Sequence, residues 1–280
     1  MSADEYCRDK AAPPGSNLYY SILFHPPELK QGLHALFAFS HEIQDTILSH
    51  SDPGIARLKL QWWHNEIDNL FAGQSRHPVG SELNTLRQHR TLDKTRFHES
   101  IEAAEYFLDP VQPENFDAWQ RQHASRIGPV WQLAADICTC QRTESVQSAI
   151  MTGSLLCMLD TLQTLPFFLN KGYCILPRQE MQQYGVTQET LQTNSKEPAV
   201  HHLFTGLITT IRKELERVYQ ALPTPDRRPL LFSLINARLA IALCCKIEKD
   251  GCRLLDKRLG LTPLQKLWIA WNTRRQIKGS

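Results

Sequence analysis

The run SVQSAIMTGSLLCMLDTLQTLPFFL, residues 145 to 169, narrows most sharply what this chain can become. Its apolar residues recur at helical rather than strand intervals, and they cover most faces of the helix instead of one. Such a helix cannot lie on a surface. It belongs at the centre of a bundle, wrapped by other helices. Pro166 ends or kinks it, because proline lacks the amide hydrogen and its ring clashes with the preceding turn.

The remaining segments supply the wrapping. Leu33, Leu36, Phe37, Ser40, Ile43, Gln44 and Ile47 form one stripe of a long helix that begins after Pro26-Pro27 and stops near Ser51. Asp52 followed by Pro53 is a helix cap, and it opens a second, antiparallel helix on which Leu58, Trp62, Ile67 and Phe71 recur until Gly73. HPVGSELNTLRQH, DKTRFHESIEAAEYFLD, NFDAWQRQHASRIG and PVWQLAADICTC predict shorter helices, each ended by Gly, Pro or turn formers. KGYCILPRQEMQQYGV reads as a loop, followed by helices over roughly 197 to 221, 225 to 252 and 262 to 275, with TNSKEP as the best candidate for a mobile loop. No repeat or low-complexity tract interrupts the pattern. The expectation is an all-α, single-domain helical bundle over residues 1–280.

Charge and cysteine usage remove several function classes. Thirty-one Lys and Arg face 29 Asp and Glu, a net charge of +2 with no basic block, which gives no electrostatic case for nucleic acid. The eight cysteines include no CxxC pair and read as reduced thiols. The polar start MSADEYCRDKAAPPG lacks the apolar core of a signal peptide, and no uncharged run reaches the roughly 18 residues of a transmembrane segment. A cytoplasmic protein, at most peripheral at a membrane, is expected. LTPLQKLWIAWNTRRQIK is amphipathic and basic at its end; it reads either as a packed helix with a solvated cationic end or as a contact with a membrane surface or partner.

Three segments in order carry a resemblance. SNLYYSILFHPPELKQGLHALFAFSHEIQD, GSLLCMLDTLQTLPFFLNKGYCILPRQEMQQYGV and KIEKDGCRLLDKRLGLTPLQKLWIAW resemble, respectively, the opening, the second signature helix with its Tyr-Leu-Pro turn, and the C-terminal helices of squalene/phytoene synthases. In active members the resemblance implies an isoprenoid-synthase fold with a central apolar cavity, where two prenyl diphosphates are joined head to head. Two acidic motifs on facing helices hold Mg²⁺ against the diphosphate leaving group. The chemistry requires this: carboxylates three or four apart share one helix face, and a hard cation offsets the charge that grows on departing pyrophosphate.

Carried over residue by residue, the first motif is degraded. His41 stands where the family has arginine, Gln44 and Asp45 where it has an aspartate pair, and Leu48 at its last aspartate. The second motif maps to Cys157, Met158, Asp160, Gln163, Thr164 and Phe168, with both motif aspartates absent, and Gly172-Tyr173 replaces the glycine-arginine of the following loop. No shift of register restores this face. Between Arg126 and Gln179 the only acidic residues are Asp136, Glu144 and Asp160, and no two are three or four apart.

Glu42 and Asp45 are therefore open to three readings: ordinary solvated or hydrogen-bonded helix residues, a residual contact to a cation or polar head group, or catalysis. At most Asp45 would touch a metal. Asp160, inside an apolar helix, needs a partner, with Arg126, Arg238 and Lys246 as candidates, and a structural ion pair is the expected role. Tyr19, Tyr20, Phe37, Gln44, Asp45, Cys157, Asp160 and Tyr173 are the residues expected to line the cavity, although Tyr19-Tyr20 could instead staple the first helix, and Phe167, Phe168 and Met158 could close the space altogether. Trp62, Trp63 and His64 read as packing, and His201-His202 lacks a third ligand.

The resemblance extends to degenerate members, notably a mitochondrial assembly factor for respiratory complex I, through segments like RLKLQWW and HPV and the FLP or ILP turn. It implies a non-catalytic protein that binds an isoprenoid or prenyl lipid, or that works with a membrane-complex subunit, with no cofactor. The alternative is an active prenyl transferase that uses Mg²⁺ in an atypical site, with Asp45, Glu42 and Glu66 around one metal and His64 nearby.

Overall fold

The apolar run sits where its composition requires. In the computed structural model, which describes residues 1–49, 52–193 and 197–278, it forms α8 (Thr143–Gln163), packed against α7 (Phe116–Ile137), α12 (Pro198–Ala221) and α13 (Leu231–Lys249). Thr164 breaks the helix and Pro166 falls in the first turn of α9 (Leu165–Asn170). Small residues let α8 approach its neighbours. A Cβ on Gly153 would collide with the Trp131 indole of α7, and the Ser154 hydroxyl donates to the Gln120 carbonyl at 3.0 Å. Buried His123 bridges the same pair of helices: its Nδ1–H donates to the Trp119 carbonyl at 2.9 Å, which leaves Nε2 to accept from the Thr161 hydroxyl at 3.0 Å. Burial lowers the His123 pKa to about 4 and keeps the ring neutral.

Helix α7 differs from expectation. It runs unbroken through Gly128 and Pro129, where two shorter helices were expected. A proline removes one hydrogen bond and bends a helix, but the length of α7 packed along α8 outweighs that loss.

Helices α3 (Pro27–Ser49) and α4 (Pro53–Phe71) form as expected, with the Asp52 carboxylate accepting from the Gly54 amide at 2.7 Å. The buried face of α4 is Ala56, Leu60, Trp63, Glu66, Ile67 and Leu70, so Leu58 and Trp62 of the expected stripe lie exposed. The error is one of phase: two overlapping apolar stripes share this helix, and periodicity alone cannot say which is covered.

Two N-terminal helices were not anticipated, α1 (Ala3–Ala11) and α2 (Asn17–Ile22). The signal for α1 was present, because Ser2 and Glu5 form a reciprocal capping box. Between α4 and α7 lie α5 (Pro78–Arg87) and α6 (Lys94–Tyr106); between α9 and α12 lie α10 (Arg178–Gln183) and α11 (Gln188–Thr193), in a stretch read as loop. Helix α13 starts later than residue 225 because a 3₁₀ turn, Thr224–Asp226, intervenes; Asp226 is held there by the Ser145 hydroxyl at 2.5 Å and Arg142 at 3.3 Å. Helix α14 (Pro263–Lys278) packs on α13 and α2. Within TNSKEP, residues 194 to 196 lie outside the described residues, as do His50 and Ser51 at the expected end of α3. All fourteen described α-helices belong to an all-α fold, with no strand among the described residues.

Candidate functional site

Helices α3, α7, α8 and α13 line a half-open cavity of about 550 Å³, bounded on one side by α1, α2 and the segment leading into α14. Its lining from Gly153 to Gln163 runs along α8 for about 15 Å at the rise of an α-helix. Phe37 of α3, Trp131 of α7 and Phe232 of α13 contact each other with ring centroids 5.3 to 6.1 Å apart, and Phe37 and Trp131 reach the cavity wall. Leu156, Leu159, Ala240 and Leu243 extend the apolar lining, while Lys10, His41, Gln44, Asp160, Arg258 and Lys266 supply polar groups. A space of this size with a few polar groups on apolar walls suits a small amphiphile. Gln163 is 9% exposed, and its side-chain oxygen has no hydrogen-bond partner.

The first motif region is organised by α1. Lys10, in the last turn of that helix, places its ammonium 2.9 Å from Glu42 Oε1 and 2.7 Å from Asp45 Oδ2. Tyr6, one turn earlier, donates its hydroxyl to Glu42 at 2.6 Å. Burial alone would raise the Glu42 pKa, but the hydrogen bonds from Tyr6 and Lys10 outweigh it and hold the carboxyl below its usual value. Burial likewise lowers Lys10, and its bonds to Asp45 and Glu42 reverse this, so the ammonium is held charged. The Tyr6 phenol is pushed up to about 12 by burial and by the adjacent carboxylate. His41 turns the other way, and its Nδ1–H donates to the Lys10 carbonyl at 3.0 Å. Neither Glu42 nor Asp45 lines the cavity; Gln44 does.

On the facing helix, Asp160 lies at the cavity wall and pairs with Arg258 at 2.7 Å. This is none of the three expected partners, and the pair is half-exposed rather than buried. Arg126 and Arg238 instead lie over the rings of Phe107 and Tyr219, and Lys246 donates to the Gly260 carbonyl. Cys157 and Gln163 line the cavity, and burial pushes the Cys157 thiol up. Thr164 closes the end of α8, its hydroxyl donating to the Asp160 carbonyl at 2.9 Å. Met158 is fully buried in the core.

Leu48 and Phe168, which stand at the last aspartate positions of the two motifs, face the same space. They line one small pocket of about 70 Å³ together with Tyr173 and Phe167, apart from the main cavity. A small pocket with apolar side chains on its walls thus occupies the place where the resemblance would put two carboxylates. Tyr19 and Tyr20 also lie outside the cavity lining: their rings meet edge to face at 5.1 Å, and Tyr20 packs with Leu231, Ile235, Leu239 and Ala270.

The atypical one-metal arrangement has no geometric basis. Glu66 Oε1 accepts from the Ser75 hydroxyl at 2.5 Å and from the amides of Arg76 and His77 at 3.0 and 2.9 Å, which anchors the turn into α5. His64 stacks on His98, with the two Nδ1 atoms 2.7 Å apart. Among the described residues no group of three His, Cys, Asp or Glu side chains is placed to hold a metal ion. Mg²⁺ needs a near-octahedral oxygen shell, and here an ammonium already sits on both carboxylates of the first motif. These residues do not fit the ions that the resemblance implies.

Lys10 and Arg258 were missed by the sequence reading. Only the capping box hinted at the first, and nothing local pointed to the second.

Comparison with known proteins agrees with the architecture. The chain superposes on a dehydrosqualene synthase crystal structure with a TM-score of 0.85, at 16% identity, covering 99% of this chain and 97% of that one. This similarity fixes the fold as the all-α isoprenoid-synthase type. The chain is 22% identical over 185 residues to the NADH dehydrogenase (ubiquinone) complex I assembly factor 6 of Mus musculus, covering 66% of this chain and spanning 56% of that protein. It is also 23% identical over 232 residues to the bifunctional protein CrtB/UppS of Streptomyces coelicolor, covering 82% of this chain and 41% of that protein. The family model for squalene/phytoene synthase matches residues 11–265, nearly the whole bundle, and the chain belongs to the squalene/phytoene synthase family.

Proposed function

We propose that this chain is a non-catalytic member of its family that holds an isoprenoid or prenyl lipid in the central cavity and assists the assembly of a membrane complex. One observation carries this reading: the Lys10 ammonium, bonded to both Glu42 and Asp45, stands where a metal-binding face would need an open carboxylate pair. A divalent cation would have to displace a charged lysine from two carboxylates, and the second helix offers it only Asp160, itself paired with Arg258. The apolar cavity walls support a lipid ligand. The assembly role rests on the relatives named as complex I assembly factors. No metal cofactor is needed for either role.

The test is incubation of the purified protein with Mg²⁺ and farnesyl or geranylgeranyl diphosphate. No release of pyrophosphate is expected, and organic extraction of the protein should yield a prenyl lipid. Turnover that disappears in Asp45→Ala would overturn the proposal and favour an active prenyl transferase.

A further inference from the structure

Helix α14 is apolar on two opposite sides. Ala270 and Thr273 are buried on the inner side, where the helix packs on α13 and α2. On the outer side Leu264, Leu267, Trp268 and Trp271 are 80%, 41%, 61% and 46% exposed. At the angular step of an α-helix these four and Arg275 fall within about 100° of one another, so they make one continuous stripe. Large apolar side chains gathered this way on a surface mark a contact site rather than chance exposure.

Charge identifies the occupant. The helix carries Arg274 and Arg275 at the stripe, Lys266 turns inward and donates to the Gly15 carbonyl at 2.8 Å, and between Lys257 and Lys278 the chain has no Asp or Glu. Lys257 and Arg258, just before the helix, are committed to Asp250 and Asp160. Arg274 and Arg275 lie at the end of the stripe, over the rings of Phe24 and Trp271 at 4.9 and 5.6 Å. Tryptophan beside arginine is the composition of a helix lying at a lipid–water boundary, with indoles among the upper acyl chains and cations at anionic head groups. The other exposed stripe, Ile55, Leu58 and Trp62 on α4, lacks this bias, since Arg57 there pairs with Glu105 and Asp109. Among the described residues no helix is long and apolar enough to cross a membrane, so any membrane contact of this bundle is made by a surface such as this one.

We infer that the outer face of α14 docks this protein on an anionic phospholipid bilayer. The inference stands whether or not the cavity is catalytic, and vesicle binding and pyrophosphate release are separate readouts.

Co-sedimentation of the full chain with vesicles of phosphatidylcholine alone, and of phosphatidylcholine mixed equally with phosphatidylglycerol, tests it. Binding is expected to the mixed vesicles, to weaken with salt, and to fall by about tenfold or more in Leu264→Ser/Trp268→Ala. Both side chains stand mainly in water, so the thermal midpoint should not move. Arg275→Gln should reduce the preference for anionic vesicles. The inference fails if neither vesicle binds, if the double variant binds like the parent, or if the parent forms a dimer that the double variant abolishes without lipid.

Discussion

Both signature helices of the family line the cavity, but they treat their carboxylates differently. On α3 a lysine from α1 sits on both Glu42 and Asp45. On α8 Asp160 is half-exposed and held by an arginine 98 residues further along the chain. The first arrangement is a partly buried network in which Glu42 also accepts from Tyr6, so each member depends on the others. The second is an ordinary surface pair, which contributes little because both charges are already well solvated. The lesson is that acidic residues on two facing helices can be a structural network on one and a plain surface pair on the other.

The largest effect expected from this contrast is in Lys10→Met. Removing the ammonium leaves Glu42 charged and nearly buried, and should cost about 3 kcal/mol in chemical denaturation, near the lower limit for stripping one partner from a buried pair. Adding Glu42→Gln should recover more than half of that loss. Thermal denaturation with and without Mg²⁺ sharpens the point: the parent should show no shift, whereas a shift in the parent would mean that the carboxylates are open to metal despite Lys10.

Acid should act on the two sides at different pH values. The His123 pKa is lowered from 6.5 to about 4, so between those values the unfolded chain binds a proton that the folded chain does not. The contribution of neutral His123 is therefore complete above pH 6.5 and is lost as pH falls towards 4. Going from neutral to pH 5 should cost on the order of 2 kcal/mol at this one group. His25, also lowered to about 4 by burial, adds in the same direction. Glu42 is depressed below 4.5, so its contribution is complete above that value and is lost only as pH falls below it. Stability measured from pH 7 to 4 should fall less steeply in His123→Gln; an unchanged slope would place the acid sensitivity elsewhere.

The smallest effect is expected at the α8 pair. Arg258→Ala should change stability by about 0 to 1 kcal/mol. A loss comparable to that of Lys10→Met would erase the contrast between the two helices.

Much of the fold was legible in the chain. The all-round apolar character of residues 145 to 169 set the centre of the bundle, and the Asp52-Pro53 cap set the start of α4. What failed was phase and continuity. Leu58 and Trp62 are exposed although they share a period with buried Ile67, and α7 passes through Gly128-Pro129 because its packing on α8 outweighs a local breaker. Tyr19, Tyr20, Asp45 and Tyr173 were expected at the cavity but lie outside its lining, whereas Phe37, Gln44, Cys157 and Asp160 lie within it.

The sequence alone determined that α8 cannot present a second carboxylate face, because the spacing of acids along one helix is a local property that no tertiary arrangement can change. It could not decide what becomes of Glu42 and Asp45. Their partner lies 35 residues before Asp45, on a helix whose position is set by packing against α3, and an ion pair between distant segments leaves no period to read. Only the folded chain brings the Lys10 ammonium onto both carboxylates, and Leu48 against the pocket of Phe168.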